Sequence, residues 1–402
     1  MRTNREEQSM PVVVTPLGVR CNLKCKYCYE DSLRDAGNFG QSFDVNAIKE
    51  AVQREGGGPF LLFGGEPLLL PKSSLRDLWE WGFQHNGANS LQTNGILVDD
   101  DHIELFKRFN VRVGISIDGP EELNDARWQG TLDETRLATS RVQETISRLC
   151  AEGIPPSLIV VLHRLNATGE LIPRLKEWFR ELAGLGVRRI TLHLLEIETE
   201  TMRDRLELSV EESVHALHQL RGFQSELPAI RFSIIQDMQA LMLGDDVNAK
   251  CVWKSCDPYT TAAVRGVGGH GERSKCGRVI KDGVDHLRDS VAGYERYIAL
   301  YQTPYDAGGC KGCRFFLMCR GQCPGTSIDG DWRNRSEQCP VWFRMFEDLE
   351  ADMLRSGREP LSVSPDRALV ESEMIRNWEN GRNVSISSIL KSSRLSAWRQ
   401  DQ

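Results

Sequence analysis

Three cysteines near the start of the chain have the spacing of metal ligands. Cys21, Cys25 and Cys28 form a C-x3-C-x2-C pattern in the segment VRCNLKCKYCYED. Thiolates are the ligands that iron–sulfur clusters prefer. A four-iron cluster held by three thiolates keeps one iron open for a substrate, as a catalytic zinc site keeps one position free. The spacing alone also fits a zinc knuckle or three unconnected thiols, but it favours chemistry at a cluster over simple electron storage.

Three glycine-containing motifs follow these cysteines, and each comes at the end of a short apolar run. They are Gly64-Gly65-Glu66-Pro67, Gln92-Thr93-Asn94-Gly95 and Ser116-Ile117-Asp118-Gly119, and Asp125 and Arg127 come soon after the last. Glycine lets a backbone approach a ligand closely, and a carboxylate such as that of Glu66 suits an ammonium group. Because ligands of parallel barrels bind at the carboxyl ends of strands, the motifs predict one shared ligand site.

Alternating strands and helices form the frame that positions these motifs. Helices are predicted near 44–54, 73–84, 100–109, 133–151 and 170–185, with capping-box spacing at Thr131…Glu134 and Ser209…Glu212. Short apolar runs rich in β-branched residues predict buried parallel strands at Val12–Thr15, Phe60–Phe63, Ser90–Thr93, Val111–Ile117, Leu158–Leu162 and Ile190–Leu194. Six strands are too few for a closed eight-fold barrel. We therefore predict an α/β fold with a partial (β/α)6 TIM-like barrel.

Most of the remaining cysteines lie in a segment with little periodicity. Twelve cysteines are present in the chain, and eight of them are Cys251, Cys256, Cys276, Cys310, Cys313, Cys319, Cys323 and Cys339. An irregular stretch of this length needs another source of order, and bound metal would supply it. We predict three domains: the barrel over 1–240, a cysteine-rich domain over 241–345 and a helical, polar C-terminal extension over 346–402.

Composition limits the classes of partner and the location. The net charge is -7, which disfavours a nucleic-acid partner because proteins that bind phosphate backbones are usually basic. The N-terminal segment MRTNREEQSM has no apolar core of signal-peptide length, and no run approaches the roughly 18 apolar residues of a membrane span. The sequence therefore predicts a cytoplasmic protein with no membrane partner.

Taken in order, the early motifs resemble the radical S-adenosylmethionine (SAM) superfamily. The resemblance covers the cysteine triad with an aromatic residue before its last member, the GGEP turn, and the strand ends QTNG and SIDG. It implies that Cys21, Cys25 and Cys28 hold a [4Fe–4S] cluster with an open iron. It further implies that SAM is bound by residues of these motifs, namely Tyr27, Gly64, Gly65, Glu66, Pro67, Gln92, Thr93, Asn94, Ser116, Asp118 and Arg127.

The later cysteines resemble the SPASM domain, which carries auxiliary clusters in many peptide-modifying radical SAM enzymes. The resemblance implies two auxiliary [4Fe–4S] clusters. It assigns Cys251, Cys256, Cys276 and Cys323 to the first auxiliary set. The second auxiliary set is Cys310, Cys313, Cys319 and Cys339. On spacing, a pair of structural zinc sites is the alternative.

The two resemblances together imply a peptide maturase. In such an enzyme a 5′-deoxyadenosyl radical takes hydrogen from a residue of a ribosomally made precursor peptide, and a carbon–carbon, carbon–oxygen or thioether crosslink follows. The implied partners are the precursor peptide with its leader, a separate leader-binding protein, and a reductant such as flavodoxin or ferredoxin. A basic tail with Arg382, Lys391, Arg394 and Arg399 is a further candidate for leader contact, although a solvated tail is the simpler interpretation.

Two other functions stay open on the sequence. One is an anaerobic sulfatase maturase, which oxidises a protein cysteine or serine to formylglycine. The other belongs to a different class, a non-catalytic iron–sulfur protein for electron transfer. For the enzymes, Glu196, Asp257 and Tyr259 are candidates by position for a general base, and His163 and His193 are expected to be packed or hydrogen-bonded.

Overall fold

Six parallel strands in sequence order form the frame of the fold. The computed structural model describes residues 12–37, 42–254, 256–261, 264–284 and 293–392. The six strands, β1 to β6, are Val12–Thr15, Phe60–Leu62, Asn89–Thr93, Val111–Ser116, Ser157–Leu162 and Arg189–Leu194. Each pairs in parallel with the next, from β1·β2 to β5·β6. This confirms the predicted α/β fold class.

Helices connect these strands close to the predicted positions. They are α1 Asp31–Asp35, α2 Val45–Arg54, α3 Lys72–Asn86, α4 Asp100–Arg108, α5 Leu132–Ala151 and α6 Ile172–Leu185. The capping box predicted at Thr131 is present at the start of α5, where the Thr131 hydroxyl and the Glu134 carboxylate each accept a bond from the other's backbone N–H. The same reciprocal pair joins Ser209 and Glu212. These caps fix where each helix begins.

The sheet is wider than the sequence indicates. β7 (Arg231–Phe232) is next to β6 in strand order, β8 (Arg265–Gly268) pairs in parallel with β1, and β9 (Arg273–Ser274) is antiparallel to β8. No strand was predicted at β8, because it is glycine-rich and has no apolar pattern. The glycines are required there, since a Cβ at Gly266 would lie 2.3 Å from the Ser274 hydroxyl.

Contacts divide the chain into two units. Unit 1 comprises residues 1–208, 223–231 and 264–281, and unit 2 comprises 209–222, 232–263 and 282–402, with the undescribed stretches left aside. The predicted boundaries near 240 and 345 stay a prediction.

The remaining α-helices are α7 Glu200–Leu206, α8 Val210–Glu226, α9 Ser233–Met242, α10 Gly277–Ile280, α11 Glu295–Gln302, α12 Phe316–Cys319, α13 Cys339–Arg355, α14 Arg367–Glu379 and α15 Ile386–Ser392. Short 3₁₀ turns are Pro67–Leu69, Glu121–Asn124, Cys251–Trp253, Tyr305–Ala307, Pro324–Thr326 and Ile328–Gly330.

Each unit has a core of its own kind. In unit 1 alternate residues of the strands are buried, as in β1, where Val12 and Val14 are inaccessible. In unit 2 the core is aromatic, with Trp253 packed edge-on against Trp342 and Phe346 of α13.

Arg394 and Arg399 of the predicted basic tail lie outside the described residues. Within the described ranges, none of the helices combines the length and apolar character that a bilayer crossing needs.

Candidate functional site

The cysteine triad lies in unit 1, on the loop that leaves the carboxyl end of β1. The loop is held by backbone bonds from Lys24 N to Trp128 O and from Lys26 N to Ala126 O, both 2.8 Å. Burial raises the pKa of the Cys21 thiol to about 11 and that of Cys25 to about 12. The loop is therefore positioned by the segment that follows the SIDG motif.

The GGEP turn forms hydrogen bonds with both ends of this loop. The N–H of Glu66 donates to the carbonyl of Arg20 at 2.8 Å, and the N–H of Gly65 donates to the Glu30 carboxylate at 3.2 Å. Gly65 has a φ of 48°, and a Cβ there would lie 2.0 Å from the Arg20 carbonyl oxygen. Only glycine permits this approach, so the turn and the cysteine loop form one structural piece.

The buried Glu66 carboxylate accepts hydrogen bonds from neighbouring residues of the protein. It is fully buried and accepts bonds from the Thr93 hydroxyl at 2.7 Å, Asn94 N at 2.8 Å and Leu68 N at 2.9 Å. Burial raises its pKa, and these three donors oppose the rise. The carboxylate therefore joins the ends of β2 and β3, and the predicted contact of Glu66 with the SAM ammonium group stays a prediction.

Side chains of the next two strand ends contact the loop or each other. The Asn94 amide donates to Asn22 Oδ1 at 2.7 Å and lies 3.9 Å from the Cys21 sulfur. Between the ends of β3 and β4, Gln92 Nε2 donates to the Ser116 hydroxyl at 2.9 Å. Asn94 is thus a strand-end side chain that contacts a predicted cluster ligand.

Asp118 is the centre of a buried polar cluster. It accepts bonds from the Tyr27 hydroxyl, from Arg127 (Nη2 at 3.3 Å) and from Val161 N at 3.0 Å, and His163 Nε2 lies 3.5 Å away. Burial acts to raise the pKa of Asp118, but the Arg127 charge, the nearby His163 and the bond from Tyr27 lower it to about 2. Three residues predicted to bind SAM thus form one network, and Asp118 is ionised within it.

His163 and Glu30 are parts of the site that the sequence interpretation did not assign to it. His163 Nδ1 accepts from Leu165 N at 3.2 Å, so Nε2 carries the proton and faces Asp118. Glu30 is buried, and burial raises its pKa. A Cβ at Gly277 would lie 3.1 Å from Glu30 Oε1. The signal for Glu30 was its position two residues after Cys28.

The candidate bases all have structural partners. Glu196 forms an ion pair with Arg278 at 2.6 Å, and this guanidinium lies 6.0 Å from the ring of Tyr29 in the cysteine loop. In unit 2, Asp257 accepts from Tyr259 N at 2.9 Å, and the Tyr259 ring packs edge-on against a tryptophan. A catalytic role for Glu196, Asp257 or Tyr259 stays a prediction.

The second auxiliary set converges on a small pocket in unit 2. Its lining includes the cysteines Cys310, Cys313, Cys319 and Cys339 and the aromatic residues Phe315, Phe316, Phe343 and Phe346. Burial raises the pKa of every thiol in the set, that of Cys310 to about 12. Backbone N–H groups are directed at two of the sulfurs, from Phe315 to Cys313 and from Gly321 to Cys319. Such bonds to sulfur tune iron–sulfur clusters.

The first auxiliary set is spread over both units. Cys276 belongs to unit 1, whereas Cys251, Cys256 and Cys323 belong to unit 2. As a common ligand set these four cysteines stay a prediction.

The thiols of the triad and of the second auxiliary set suit iron–sulfur clusters. The cysteines are free thiols, and in the parts of the chain described no three acidic, histidine or cysteine side chains converge as ligands of a single metal ion do. Cluster thiolates each bind a different iron, so their sulfurs need not converge on one point. Buried thiols supported by N–H donors suit a cluster whose charge needs compensation.

Comparison with known proteins agrees with this architecture. Residues 15–172 match the model of the radical SAM superfamily. A cysteine-type anaerobic sulfatase-maturating enzyme of Clostridium novyi is 31% identical over 131 residues, which are 29% of this chain and 35% of that protein. The alignment therefore spans about a third of this relative. A serine-type enzyme of Klebsiella aerogenes is 23% identical over 380 residues, 87% of both proteins.

A solved structure extends the likeness in fold along the chain. Native anSMEcpe with bound AdoMet aligns with 86% of this chain and 98% of its own, at a TM-score of 0.64 and 19% identity. SAM and [4Fe–4S] clusters are the cofactors of this superfamily. The chain therefore carries a radical SAM domain and is homologous to the anaerobic sulfatase-maturating enzymes.

Proposed function

We propose that this protein is a radical SAM oxidoreductase of the SPASM type that forms an oxidative crosslink in a ribosomally made precursor peptide. The observation that carries the proposal is the presence of two thiol sites. Unit 1 holds the cysteine triad beside the GGEP turn, and unit 2 holds the four-thiol pocket of the second auxiliary set. A solved structural neighbour was crystallised with AdoMet and a peptide, which supports a peptide as the substrate class.

The cofactors are assigned to residues as follows. Cys21, Cys25 and Cys28 would hold the SAM-binding cluster, and the carboxyl ends of β1 to β4 would hold SAM. Bound at these residues, SAM and its cluster would supply radical chemistry for hydrogen abstraction, and the auxiliary sites would supply an electron acceptor.

The residues of the chain position the reactants and keep water out. The Asp118 cluster holds the ring of Tyr27 and the guanidinium of Arg127 in a buried network, which preorganises these groups. The bonds of Glu66 lock the GGEP turn to the next strand end. Because a reactive radical attacks whatever is near, rigid positioning of this kind is a requirement for selective chemistry.

A proton acceptor is needed when the new bond forms. Among the three candidates, Glu196 belongs to the same unit as the cysteine triad, and its partner Arg278 lies over Tyr29. The ion pair with Arg278 holds the Glu196 carboxylate in place. We therefore propose Glu196 ahead of Asp257, whose carboxylate caps a turn in unit 2.

A second function is favoured by the curated relatives. Their names describe maturation of sulfatases, so formylglycine formation on a protein cysteine or serine is the alternative outcome of the same initial hydrogen abstraction. The leader-binding protein belongs to the crosslinking proposal, and a flavodoxin-type or ferredoxin-type reductant belongs to the proposal in either case.

The test is anaerobic reconstitution followed by two peptide assays. About twelve irons per chain, four for each of three clusters, and formation of 5′-deoxyadenosine from SAM and dithionite would support the enzyme. A loss of two hydrogen atoms from the peptide encoded beside the gene, with a crosslink located by fragmentation, supports the maturase. Conversion of a sulfatase-derived peptide to an aldehyde supports the alternative. Clusters without SAM cleavage would instead indicate an electron-transfer protein.

A further inference from the structure

Arg296 is a cation in the interior of unit 2. It lies in the first turn of α11, and only 1% of its surface is exposed. Removing a guanidinium from water is costly unless its donors are bonded and its charge is balanced. Such a residue is kept where the interior supplies both.

The bonds of Arg296 connect segments that carry predicted cluster ligands. Its Nη1 donates to the carbonyl of Gln322 and its Nη2 to that of Asn334, each at 2.9 Å. Its backbone N–H donates to the Asp257 carboxylate at 3.2 Å. Gln322 directly precedes Cys323, and Asp257 directly follows Cys256. The guanidinium is therefore anchored at the turn before Cys323, and the backbone of Arg296 is anchored at the turn after Cys256.

Arg296 is bonded to backbone that adjoins both auxiliary sets. Its Nη1 donates to the carbonyl of Gln322, a residue that lines the four-thiol pocket of the second set and directly precedes Cys323 of the first. Burial lowers the pKa of Arg296, and thiolate charge at Cys256, Cys323 or Cys310 would act to raise it. Cys256 and Cys323 belong to the first auxiliary set and Cys310 to the second. Arg335 is a further cation nearby, but its guanidinium is bonded to Cys339 of the second set and to the carbonyl of Gly309. Of these two cations, Arg296 is the one bonded to a residue that adjoins both sets, Gln322.

We propose that Arg296 is the shared counter-cation of the two auxiliary clusters and keeps their reduction potentials high enough to accept an electron from the substrate. This inference rests on the proposed function, since it requires clusters at both auxiliary sets. Each reduction adds one negative charge to a cluster, and a fixed positive charge in a low-dielectric interior favours the more negative state. Loss of the charge therefore disfavours reduction.

The experiment is a redox titration of the fully reconstituted chain, followed by electron paramagnetic resonance. Arg296→Gln removes the charge and keeps one donor group, whereas Arg296→Lys keeps the charge. Arg344→Gln removes an exposed cation from α13, which begins at Cys339, and is the matched control. We expect the Gln variant to lower the reduction equilibrium of the auxiliary clusters at least tenfold, which is about 59 mV for a one-electron couple. The Lys and control variants should stay within about threefold of the wild type, or about 30 mV.

Each outcome decides the matter. Equal potentials in the wild type and Arg296→Gln, with all clusters present, would overturn the proposal. If Arg296→Gln fails to retain auxiliary iron but Arg296→Lys retains it, the charge is required for the clusters, as proposed. If both variants lose the iron equally, the role is the geometry of the hydrogen bonds and the proposal is wrong. If the wild type itself holds no auxiliary clusters, the proposed function fails instead, and the iron content alone reveals this.

Discussion

The backbone N–H of Asn94 donates a hydrogen bond of 2.8 Å to the buried carboxylate of Glu66. This bond joins the turn after β2 to the turn after β3. Since Asn94 also contacts Asn22 in the cysteine loop, three successive strand ends are mechanically linked. The motifs that suggest a SAM site are therefore also the parts that give the site its shape.

Glu66→Gln should destabilise the protein. Both carboxylate oxygens accept from N–H or O–H groups, and a glutamine amide would turn its NH₂ group toward one of these donors. An unsatisfied buried donor costs about 1–3 kcal/mol, and we expect a loss of this size in the free energy of unfolding by urea. Glu104→Gln on the exposed face of α4 should change it by less than about 0.5 kcal/mol. Equal stability of the two variants would show that the Glu66 network is dispensable.

Asp118→Asn should lower the free energy of unfolding more than Glu66→Gln does. It removes the charge that balances the buried Arg127, and breaking a buried ion pair costs about 3–5 kcal/mol. Because the folded-state pKa of Asp118 is about 2 and the unfolded value is about 3.9, its contribution is present above pH 3.9 and is lost as the pH falls toward 2. The Asn variant should lose this part of the acid dependence. Asp204→Asn, at an exposed site on α7, is the control. An equal loss of acid dependence in this variant would refute the assignment of that dependence to Asp118.

Cys319→Ala should remove one auxiliary cluster and spare the other sites. Its sulfur lines the four-thiol pocket, so we expect iron to fall by about four per chain while 5′-deoxyadenosine formation continues. Cys150→Ala is the matched control, because Cys150 is a half-buried thiol on α5 that belongs to no predicted set. An unchanged iron content in Cys319→Ala would contradict the second auxiliary set.

The strands were predictable because short apolar runs rich in β-branched residues are typical of buried parallel strands. β1 to β6 lie within a residue of their predicted bounds. β8 was not predictable in this way. Gly266 and Gly268 are required because Ser274 and Glu272 lie too close to admit a Cβ, and no pattern within β8 itself indicates these contacts.

The site was predictable where a motif is local. Tyr27, Asp118 and Arg127 were named from their motifs, and the structure brings them together. Their partner His163 and the buried Glu30 have no motif of their own, since only the fold brings His163 next to Asp118. The ligand sets of the clusters and the roles of the candidate bases depend on bound groups, so they stay predictions.

The central claim is that the triad of unit 1 holds the cluster that cleaves SAM. The direct measurement is iron content together with 5′-deoxyadenosine formation in Cys21→Ala, Cys25→Ala and Cys28→Ala, each reconstituted anaerobically and reduced with dithionite. The account predicts that each variant keeps about eight irons per chain in its auxiliary clusters and forms no 5′-deoxyadenosine. Undiminished formation of 5′-deoxyadenosine in any of the three would contradict it.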